Sequence, residues 1–216
     1  SFQHIKYMGT AADKWNAPFY KNYLEIFKDP KMLIALKNTG IMIIATIVGE
    51  VGLAIVLSLL VSNIKKGAGF FRVVYFFPIV ISATALGLLF NLVFLYDKGM
   101  INQLLQLIGV LDAGKNELID WKATYPMFTM LVPVIWQYVG FYFIILLTGL
   151  SGIPEDLYEA AEIDGASKLQ QVRYVTLPLL RNSICTCVVL AVTGALKVFD
   201  LPWTMFVNGM SNTWLT

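Results

Sequence analysis

The sequence contains few of the side chains from which catalytic and metal sites are usually built. Its 216 residues include two cysteines and one histidine, and 14% of them are charged. Cys185 and Cys187 are two positions apart in an apolar run that we predict to be helical, so their side chains point in different directions and predict neither a disulfide nor a metal site. His4 has no cysteine or carboxylate at ligand spacing, and we expect it to be a surface residue.

Nucleotide-binding and hydrolase motifs are also missing from the sequence. It contains no G-x-x-x-x-G-K-[ST], G-x-G-x-x-G, H-E-x-x-H or G-x-S-x-G pattern. The formal net charge is only +2, and the basic residues do not cluster into the footprint of a nucleic-acid-binding protein. We therefore expect no catalytic residue, metal, cofactor or nucleic-acid partner. If ATP drives this protein, another chain must bind it.

The composition is instead typical of a membrane protein. Hydrophobic residues make up 57% of the chain and the mean hydropathy is +0.68. A soluble domain has about 25% charged residues, well above the 14% found here. A water-soluble fold is therefore not expected.

Four apolar runs are long enough to cross a membrane as helices. A helix needs about 20 residues, each rising about 1.5 Å, to cross a hydrocarbon core roughly 30 Å thick. The predicted spans are residues 41–64, 70–94, 125–150 and 183–199. The predicted fold class is all-α, a polytopic integral membrane helical bundle.

Residues 1–37 precede the first span and form a lysine-rich, aromatic lead-in, which we expect to be extracytoplasmic. Aromatic and apolar side chains recur there at i, i+3, i+4 and i+7, at Tyr20, Tyr23, Leu24 and Phe27. This pattern predicts a helix at the membrane interface. Asp29 and Pro30 follow as a cap and a first-turn proline, so a new helix should begin there and lead into the membrane. Residues 38–216 are predicted to form the transmembrane domain.

A second interfacial helix is predicted between the second and third spans. After a turn at residues 96–99, apolar side chains recur with the helical period at Ile101, Leu104, Leu105 and Ile108. Gly109 should end this helix.

The segment 151–182, between the third and fourth spans, is strongly acidic and patterned. Five acids lie within ten residues, at Glu155, Asp156, Glu159, Glu162 and Asp164. Pro154 suits the first turn of a helix, and the acids that follow it complement the helix dipole. Gly165 can take the left-handed conformation that ends a helix. Ser167 then offers a cap for a second helix, which we expect to end near Thr176, before Pro178.

The first of these two helices has a narrow apolar face made of small residues. Leu157, Ala160 and Ala161 lie at i, i+3 and i+4 and therefore share one side. Because an exposed alanine lets another backbone approach closely, this helix is suited to insertion into a partner.

These residues carry a family resemblance. The run Glu159-Ala160-Ala161, then Gly165 four residues beyond, and Leu177-Pro178-Leu179-Leu180 resemble the EAA loop of the membrane-spanning subunits of bacterial ATP-binding-cassette (ABC) importers. In that family the loop is cytoplasmic, and its helix docks in a cleft of the ATPase subunit. The resemblance implies a coupling role for Glu159, Ala160, Ala161, Gly165, Leu177 and Pro178.

Other segments resemble carbohydrate-importer permeases with the type I ABC importer permease fold. They are NYLEIFKDPKMLIALKNTG, FFRVVYFFPIVISATALGLLF, YDKGMINQLL, LSGIPEDLYEAAEIDGAS and GALKVFDLPW. The likeness is closest to the first of two permease subunits, as in maltose, lactose or glycerol-3-phosphate uptake. Such subunits usually have six core spans, so we expect the chain to be a fragment that lacks the first and last. Asn182 stands where the family often has a proline, which affects only where a helix starts.

The resemblance implies a sugar importer with several partners. They would be a second permease subunit, two copies of a cassette ATPase that bind ATP and Mg²⁺, and an extracytoplasmic solute-binding protein. The chain would lie in the plasma membrane of a bacterium or archaeon among lipids, with residues 151–182 in the cytoplasm, and would move a sugar or oligosaccharide by alternating access. The basic residues do not support this orientation by number, because six lie on the proposed inner side and ten on the other.

Several polar or aromatic residues within the predicted spans are candidates for a solute pathway. They are Glu50, Asn91, Trp136, Gln137, Tyr138 and Lys197. An ionised carboxylate in mid-bilayer costs about 2.5–3.5 kcal/mol, so Glu50 should face a partner helix or a polar cavity. Sugar recognition uses polar groups beside aromatic faces. For each residue a packing or anchoring role remains the alternative, and Lys197 could pair with Asp200.

Three other functions remain open. The first is an ABC permease for a solute other than a sugar, and the second is an ion-coupled secondary transporter with Glu50 as its coupling site. The third is an integral-membrane enzyme, which would need convergent catalytic groups at one membrane face. The acids of segment 151–182 have no histidine or cysteine beside them, which disfavours the enzyme.

Overall fold

A computed structural model describes residues 3–4, 14–15, 20–62, 64, 67–111 and 118–206. The expectation for the His4 side chain lies outside the described part. The described residues are almost entirely helical; two-residue strands at Gln3–His4 and Lys14–Trp15 pair in antiparallel fashion. The α-helices are α1 Lys21–Lys28, α2 Pro30–Thr46, α3 Leu53–Ser62, α4 Ala68–Phe76, α5 Ala83–Val93, α6 Met100–Leu107, α7 Trp121–Thr124, α8 Pro126–Ser151, α9 Asp156–Ile163, α10 Lys168–Gln171, α11 Leu177–Leu179, α12 Arg181–Lys197 and α13 Asp200–Met205.

The first long helix begins where the sequence predicts and extends the first span towards its N-terminus. The Asp29 side chain accepts a hydrogen bond from the Lys31 amide at 2.9 Å, and Pro30 occupies the first turn. A π-helical segment, Ile47–Gly52, joins α2 to α3 without a break, so Pro30–Ser62 is one helix of 33 residues. Glu50 lies within this π segment, which widens the helix locally.

Two helices in the described part are long and apolar enough to cross a membrane, Pro30–Ser62 and Pro126–Ser151. Two helix pairs qualify only together, because each is sharply bent. Gly69–Val80 and Ala83–Val93 meet at 96°, while Lys168–Leu179 and Arg181–Lys197 meet at 67°. The count is four if each bent pair is a single span.

The bend in the predicted span 70–94 has a local cause. Residues Phe77–Val80, which include Pro78, form a 3₁₀ turn, and the Ser82 hydroxyl accepts from the Ala85 amide at 3.2 Å as the cap of α5. The Ile81 carbonyl, left at the break, accepts from Gln137 Nε2 at 2.9 Å. Apolar composition alone predicts a straight span here, whereas the proline and the serine cap divide it into two helices.

Helix α8 occupies the centre of the bundle. It packs against α2, α3, α4 and the π segment, and its buried side chains contribute to two hydrophobic clusters, with Met130 and Val134 in one and Phe143 and Leu146 in the other. Gly140 lies where α8 crosses α4, because a Cβ at this position would overlap the Tyr75 carbonyl oxygen.

The predicted second interfacial helix is α6, and a buried side-chain amide, that of Asn102, connects it to the start of α7. Asn102 is 1% exposed. Its Nδ2 donates to the carbonyl oxygens of Tyr96 at 2.9 Å and Ile119 at 3.0 Å, and its Oδ1 accepts from Trp121 Nε1 at 2.8 Å. Gly109 follows the helix with φ of +74°, as its predicted role at the helix end requires.

Candidate functional site

The acidic segment forms the helix, turn and second helix that the sequence predicts. Helix α9 follows Pro154, and its C-terminus is a Schellman turn in which the Gly165 amide bonds to the Glu162 carbonyl and the Ala166 amide to that of Ala161. Gly165 has φ of +79°, a conformation that strains other residues. Ser167 then starts α10 with a capping box shared with Gln170.

The end of the second helix differs from the prediction. Instead of stopping before Pro178, the chain continues from α10 through a π-helical segment, Val172–Thr176, into α11. The Leu177 amide bonds to the Val172 carbonyl, five residues back. This wider turn places Pro178 in the first turn of α11, where a proline needs no amide hydrogen bond. The sharp bend comes later, between Leu179 and Arg181.

The surface of α9 combines exposed acids with exposed apolar side chains. Glu159 and Ala160 are exposed, and Ala161 is half-buried. Leu157 is 43% exposed and Ile163, in the last turn, is 87% exposed. A helix that leaves such apolar side chains uncovered at its tip is suited to a protein partner. Of the other predicted coupling residues, Leu177 is half-buried and Pro178 is exposed.

An ion pair closes the turn between α9 and α10. Lys168 Nζ contacts Glu162 Oε1, and both side chains are largely exposed to solvent. The hydrogen bond from Lys168 lowers the pKa of Glu162 from its ordinary value. Exposed pairs of this kind contribute little to stability, so the Schellman turn and the capping box are the main determinants of the loop's shape.

A separate candidate site lies among the long helices, around Glu50. This residue is 2% exposed and shares a hydrogen bond with the Tyr142 hydroxyl. A cavity of about 210 Å³ lies beside it, and its wall includes Thr46 and Tyr138. The buried carboxyl therefore faces the interior of the bundle rather than its outer surface.

A second cavity, of about 230 Å³, adjoins the first. Val134, Tyr138, Gly194 and Val198 line both cavities. Gln137, Lys197 and Asp200 add polar groups to the second. The structure thus brings together four of the six residues that the sequence suggested for a solute pathway, Glu50, Gln137, Tyr138 and Lys197.

Asn91 and Trp136 are placed elsewhere. Asn91 Oδ1 accepts a hydrogen bond from Lys122 Nζ at 2.6 Å. Trp136 is 41% exposed and packs edge-on against Phe90, with ring centroids 5.8 Å apart. Neither residue lines either cavity, so their geometry is that of anchoring and packing.

Small residues of α12 that leave room for the cavities were not among the predicted site residues. Ala191, Gly194 and Ala195 of α12, together with Val198 just beyond it, line the first cavity. Their spacing of i, i+3, i+4 and i+7 is that of one helix face, and this pattern could have found them. Thr46 and Tyr142 were also missed. Thr46 lies four residues before Glu50 in the same helix and shares its face, whereas Tyr142 meets Glu50 only because α8 packs against the π segment. Among the described residues, no group of three histidine, cysteine or carboxylate side chains could hold a metal ion.

Comparison with known proteins identifies related sequences over most of the chain. A sequence model of the family described as "binding-protein-dependent transport system inner membrane component" matches residues 54–216. A probable ABC transporter permease protein of Bacillus subtilis, YurN, is 35% identical over 88% of this chain and 65% of its own length. The diacetylchitobiose uptake permease NgcF of Streptomyces coelicolor is 30% identical over 90% of this chain and 58% of its own length. The arabinooligosaccharides transport permease AraP of Halalkalibacterium halodurans is 33% identical over 87% of this chain and 58% of its own length. The chain therefore spans less than two thirds of these relatives.

Solved structures share the fold. A bacterial ABC transporter for import of the acidic polysaccharide alginate contains a chain that superposes with a TM-score of 0.77, at 20% identity, over 90% of this chain and 67% of that one. A structure of the alginate transporter with an alginate pentasaccharide-bound periplasmic protein gives the same TM-score at 22% identity. The helical architecture of this chain is thus shared with a chain of these ABC transporters.

Proposed function

Because the chain belongs to the family of binding-protein-dependent transport system inner membrane components, we propose that it is a membrane-spanning permease subunit of an ATP-driven importer. Its α9 helix docks on a cassette ATPase, with Glu159 in contact with that subunit and Ala160 and Ala161 allowing close approach. Residues 151–182 lie in the cytoplasm, and the protein lies in the plasma membrane. A second permease subunit, two ATPase copies and an extracytoplasmic solute-binding protein complete the assembly, and the ATPases bind ATP and Mg²⁺.

The proposed solute is a sugar or oligosaccharide. The names of relatives support this class, because NgcF is a diacetylchitobiose permease and AraP an arabinooligosaccharide permease. The adjoining cavities offer polar groups beside an aromatic ring, from Glu50, Gln137, Tyr138 and Lys197, which suits hydroxyl-rich ligands. Closure of the ATPases moves α9, and rocking of the helices opens these cavities to each side of the membrane in turn.

The observation that carries the proposal is the exposed helix α9 within the residues matched by the family. Glu159 and Ala160 are exposed, and Ile163 is left 87% exposed, although the rest of the segment is fixed by a Schellman turn and a capping box. A rigid helix with an uncovered apolar tip fits a docking element.

Co-purification from the native membrane tests this proposal. The full-length wild type should recover a cassette ATPase and a second permease. Glu159→Arg should lose the ATPase and keep the second permease, because a reversed charge at a docked surface is repelled or left unpaired. Glu25→Arg is the matched control, since Glu25 is an exposed acid of α1 with 63% of its side chain accessible.

Two results would contradict the proposal. Recovery of equal amounts of ATPase with wild type and Glu159→Arg would remove α9 from the docking surface. If the wild type recovers no ATPase under conditions that preserve known importers, the importer function fails. The ion-coupled transporter with Glu50 as its coupling site would then be the function to test.

A further inference from the structure

A contact between two hydroxyl groups ties α9 to the segment that leads into the membrane. Tyr158 Oη lies 3.1 Å from Thr176 Oγ1. Tyr158 is half-buried although its neighbours Glu159 and Ala160 are exposed, so its ring lies, with Ala161, on the covered side of a largely exposed helix. The contact joins residues 18 positions apart and bypasses the turn at Gly165.

Thr176, the partner of Tyr158 in this contact, is buried and makes a further hydrogen bond. Thr176 is 2% exposed and Gln171 is 4% exposed. The Thr176 hydroxyl donates to the Gln171 carbonyl oxygen at 3.4 Å, which leaves the Tyr158 hydroxyl as the donor to Thr176 Oγ1. Gln171 Nε2 in turn reaches the Ala166 carbonyl oxygen at 3.5 Å. Tyr158 therefore contacts an ordered part of the second helix rather than a loose surface group.

The chain that follows Thr176 passes the 67° bend before Arg181 and enters the helix that lines the cavities. The π segment Val172–Thr176 continues through α11 into α12, and Ala191, Gly194 and Ala195 of α12 line the first cavity. Short π-helical turns are frequent at functional sites because they interrupt the regular hydrogen-bond ladder. Another side-chain connection across the Gly165 turn, Glu162 to Lys168, is exposed and therefore weak.

We propose that the Tyr158–Thr176 pair is a positioning link, which carries a displacement of α9 into α12 and thereby couples ATP hydrolysis to movement of the solute cavity. This inference rests on the proposed function. Its observable is the number of solute molecules imported for each ATP hydrolysed. Loss of the link leaves the ATPase docked and active while its motion reaches α12 less completely.

The test uses the full-length protein in its complete assembly, reconstituted into vesicles with a binding protein and its sugar. Tyr158→Phe removes the hydroxyl and keeps the ring, and Thr176→Val removes the partner hydroxyl and keeps the shape. Each should lower the ratio of solute imported to ATP hydrolysed about threefold to tenfold, the range expected for one hydrogen bond. The double variant should lose no more than either single variant, because both remove the same contact.

Matched controls separate this link from a general effect of losing a hydroxyl. Tyr174→Phe removes the hydroxyl of a 69% exposed tyrosine in the same π segment. Thr186→Val removes a hydroxyl that bonds to the Asn182 carbonyl of its own helix. Both should keep the wild-type ratio. The amount of co-purified ATPase should be unchanged in all variants, so that Tyr158→Phe lowers the ratio of solute imported to ATP hydrolysed without loss of docking, which a merely structural role of Tyr158 would not predict.

Four results would overturn the inference. They are a wild-type ratio in Tyr158→Phe, additive losses in the double variant, loss of the ATPase from Tyr158→Phe, and an equal loss in Tyr174→Phe. Failure of the proposed function is distinguishable, because the wild-type assembly itself would then show no ATP-dependent uptake.

Discussion

Glu50 illustrates at the scale of one residue how a carboxyl is accommodated among apolar helices. It lies in the π segment Ile47–Gly52, is 2% exposed and shares a hydrogen bond with Tyr142. A carboxylate facing lipid would cost about 2.5–3.5 kcal/mol. Facing a cavity and a tyrosine hydroxyl instead, it keeps a hydrogen-bond partner and remains available to a hydroxyl-rich solute.

Replacing Glu50 tests whether Tyr142 and the solute use its carboxyl group as a hydrogen-bond acceptor. Glu50→Leu should lower the free energy of unfolding by about 1–3 kcal/mol, because the buried Tyr142 hydroxyl loses its partner. If the solute uses the same group, the KM of uptake should rise about twofold to tenfold. Glu50→Gln keeps an acceptor and should change both quantities less. Thermal unfolding of the purified protein and uptake kinetics give the two readouts.

The control for the two Glu50 variants is Glu25→Leu. Glu25 is an exposed acid, and its removal should change the free energy of unfolding by less than about 0.5 kcal/mol. Equal KM values for wild type, Glu50→Gln and Glu50→Leu would show that the solute does not use this carboxyl. An unchanged free energy of unfolding in Glu50→Leu would show that the Tyr142 contact is dispensable.

At the scale of elements, the crossing of α8 and α4 depends on the missing side chain of Gly140. A Cβ there would overlap the Tyr75 carbonyl oxygen, a backbone atom that cannot rotate away. Backbones that approach this closely are common where membrane helices pack, since small residues permit close contact. The position of α4 against the central helix therefore rests on this glycine.

Gly140→Ala should consequently destabilise the protein by about 1–3 kcal/mol, the usual cost of an overpacked contact. Gly40→Ala is the matched control within α2, because a Cβ at Gly40 meets nothing within 4 Å. The control should be neutral or stabilising by up to about 1 kcal/mol, since alanine is the better helix former. Thermal unfolding in detergent measures both, and similar Tm values for the two variants would contradict the close approach.

At the scale of the whole molecule, the side of the membrane on which the acidic segment lies depends on how many helices before it cross the bilayer. If the bent pair Gly69–Val80 and Ala83–Val93 crosses the bilayer as one span, as the two long helices can, segment 151–182 lies on the side opposite to residues 20–29. The six basic residues on the proposed inner side are fewer than the ten on the other. The positive-inside rule, which applies to short loops, therefore gives no support to the orientation that the docking function requires.

Labelling of single cysteines decides this orientation. With both native cysteines replaced, Glu25→Cys should react with a membrane-impermeant maleimide in intact cells, whereas Lys168→Cys should not. Inverted vesicles should reverse the pattern. Both positions are well exposed, with 63% and 81% of their side chains accessible, so a lack of reaction reports the side of the membrane. Labelling of Lys168→Cys in intact cells would contradict a cytoplasmic segment 151–182.

Much of the fold follows from local signals in the sequence. Asp29 and Pro30 start α2, Gly165 ends α9 and Ser167 caps α10 as predicted, because each signal acts through its own backbone and near neighbours. The end of the second helix in segment 151–182 was predicted wrongly. Proline normally ends a helix, but a π segment that ends two residues earlier, at Thr176, accommodates Pro178, and no residue pattern in this stretch signals that segment.

The sequence by itself determined the membrane class, the apolar helices and the family-like pattern around Glu159, because hydropathy and turn residues act over short distances. Only the tertiary structure decided which polar residues meet. It brought Glu50 beside Tyr142, placed Gln137 and Lys197 at a shared cavity, and directed Asn91 to Lys122. These groupings depend on how helices distant in sequence pack, and that packing is set by small residues such as Gly140 and by the bends between helix pairs.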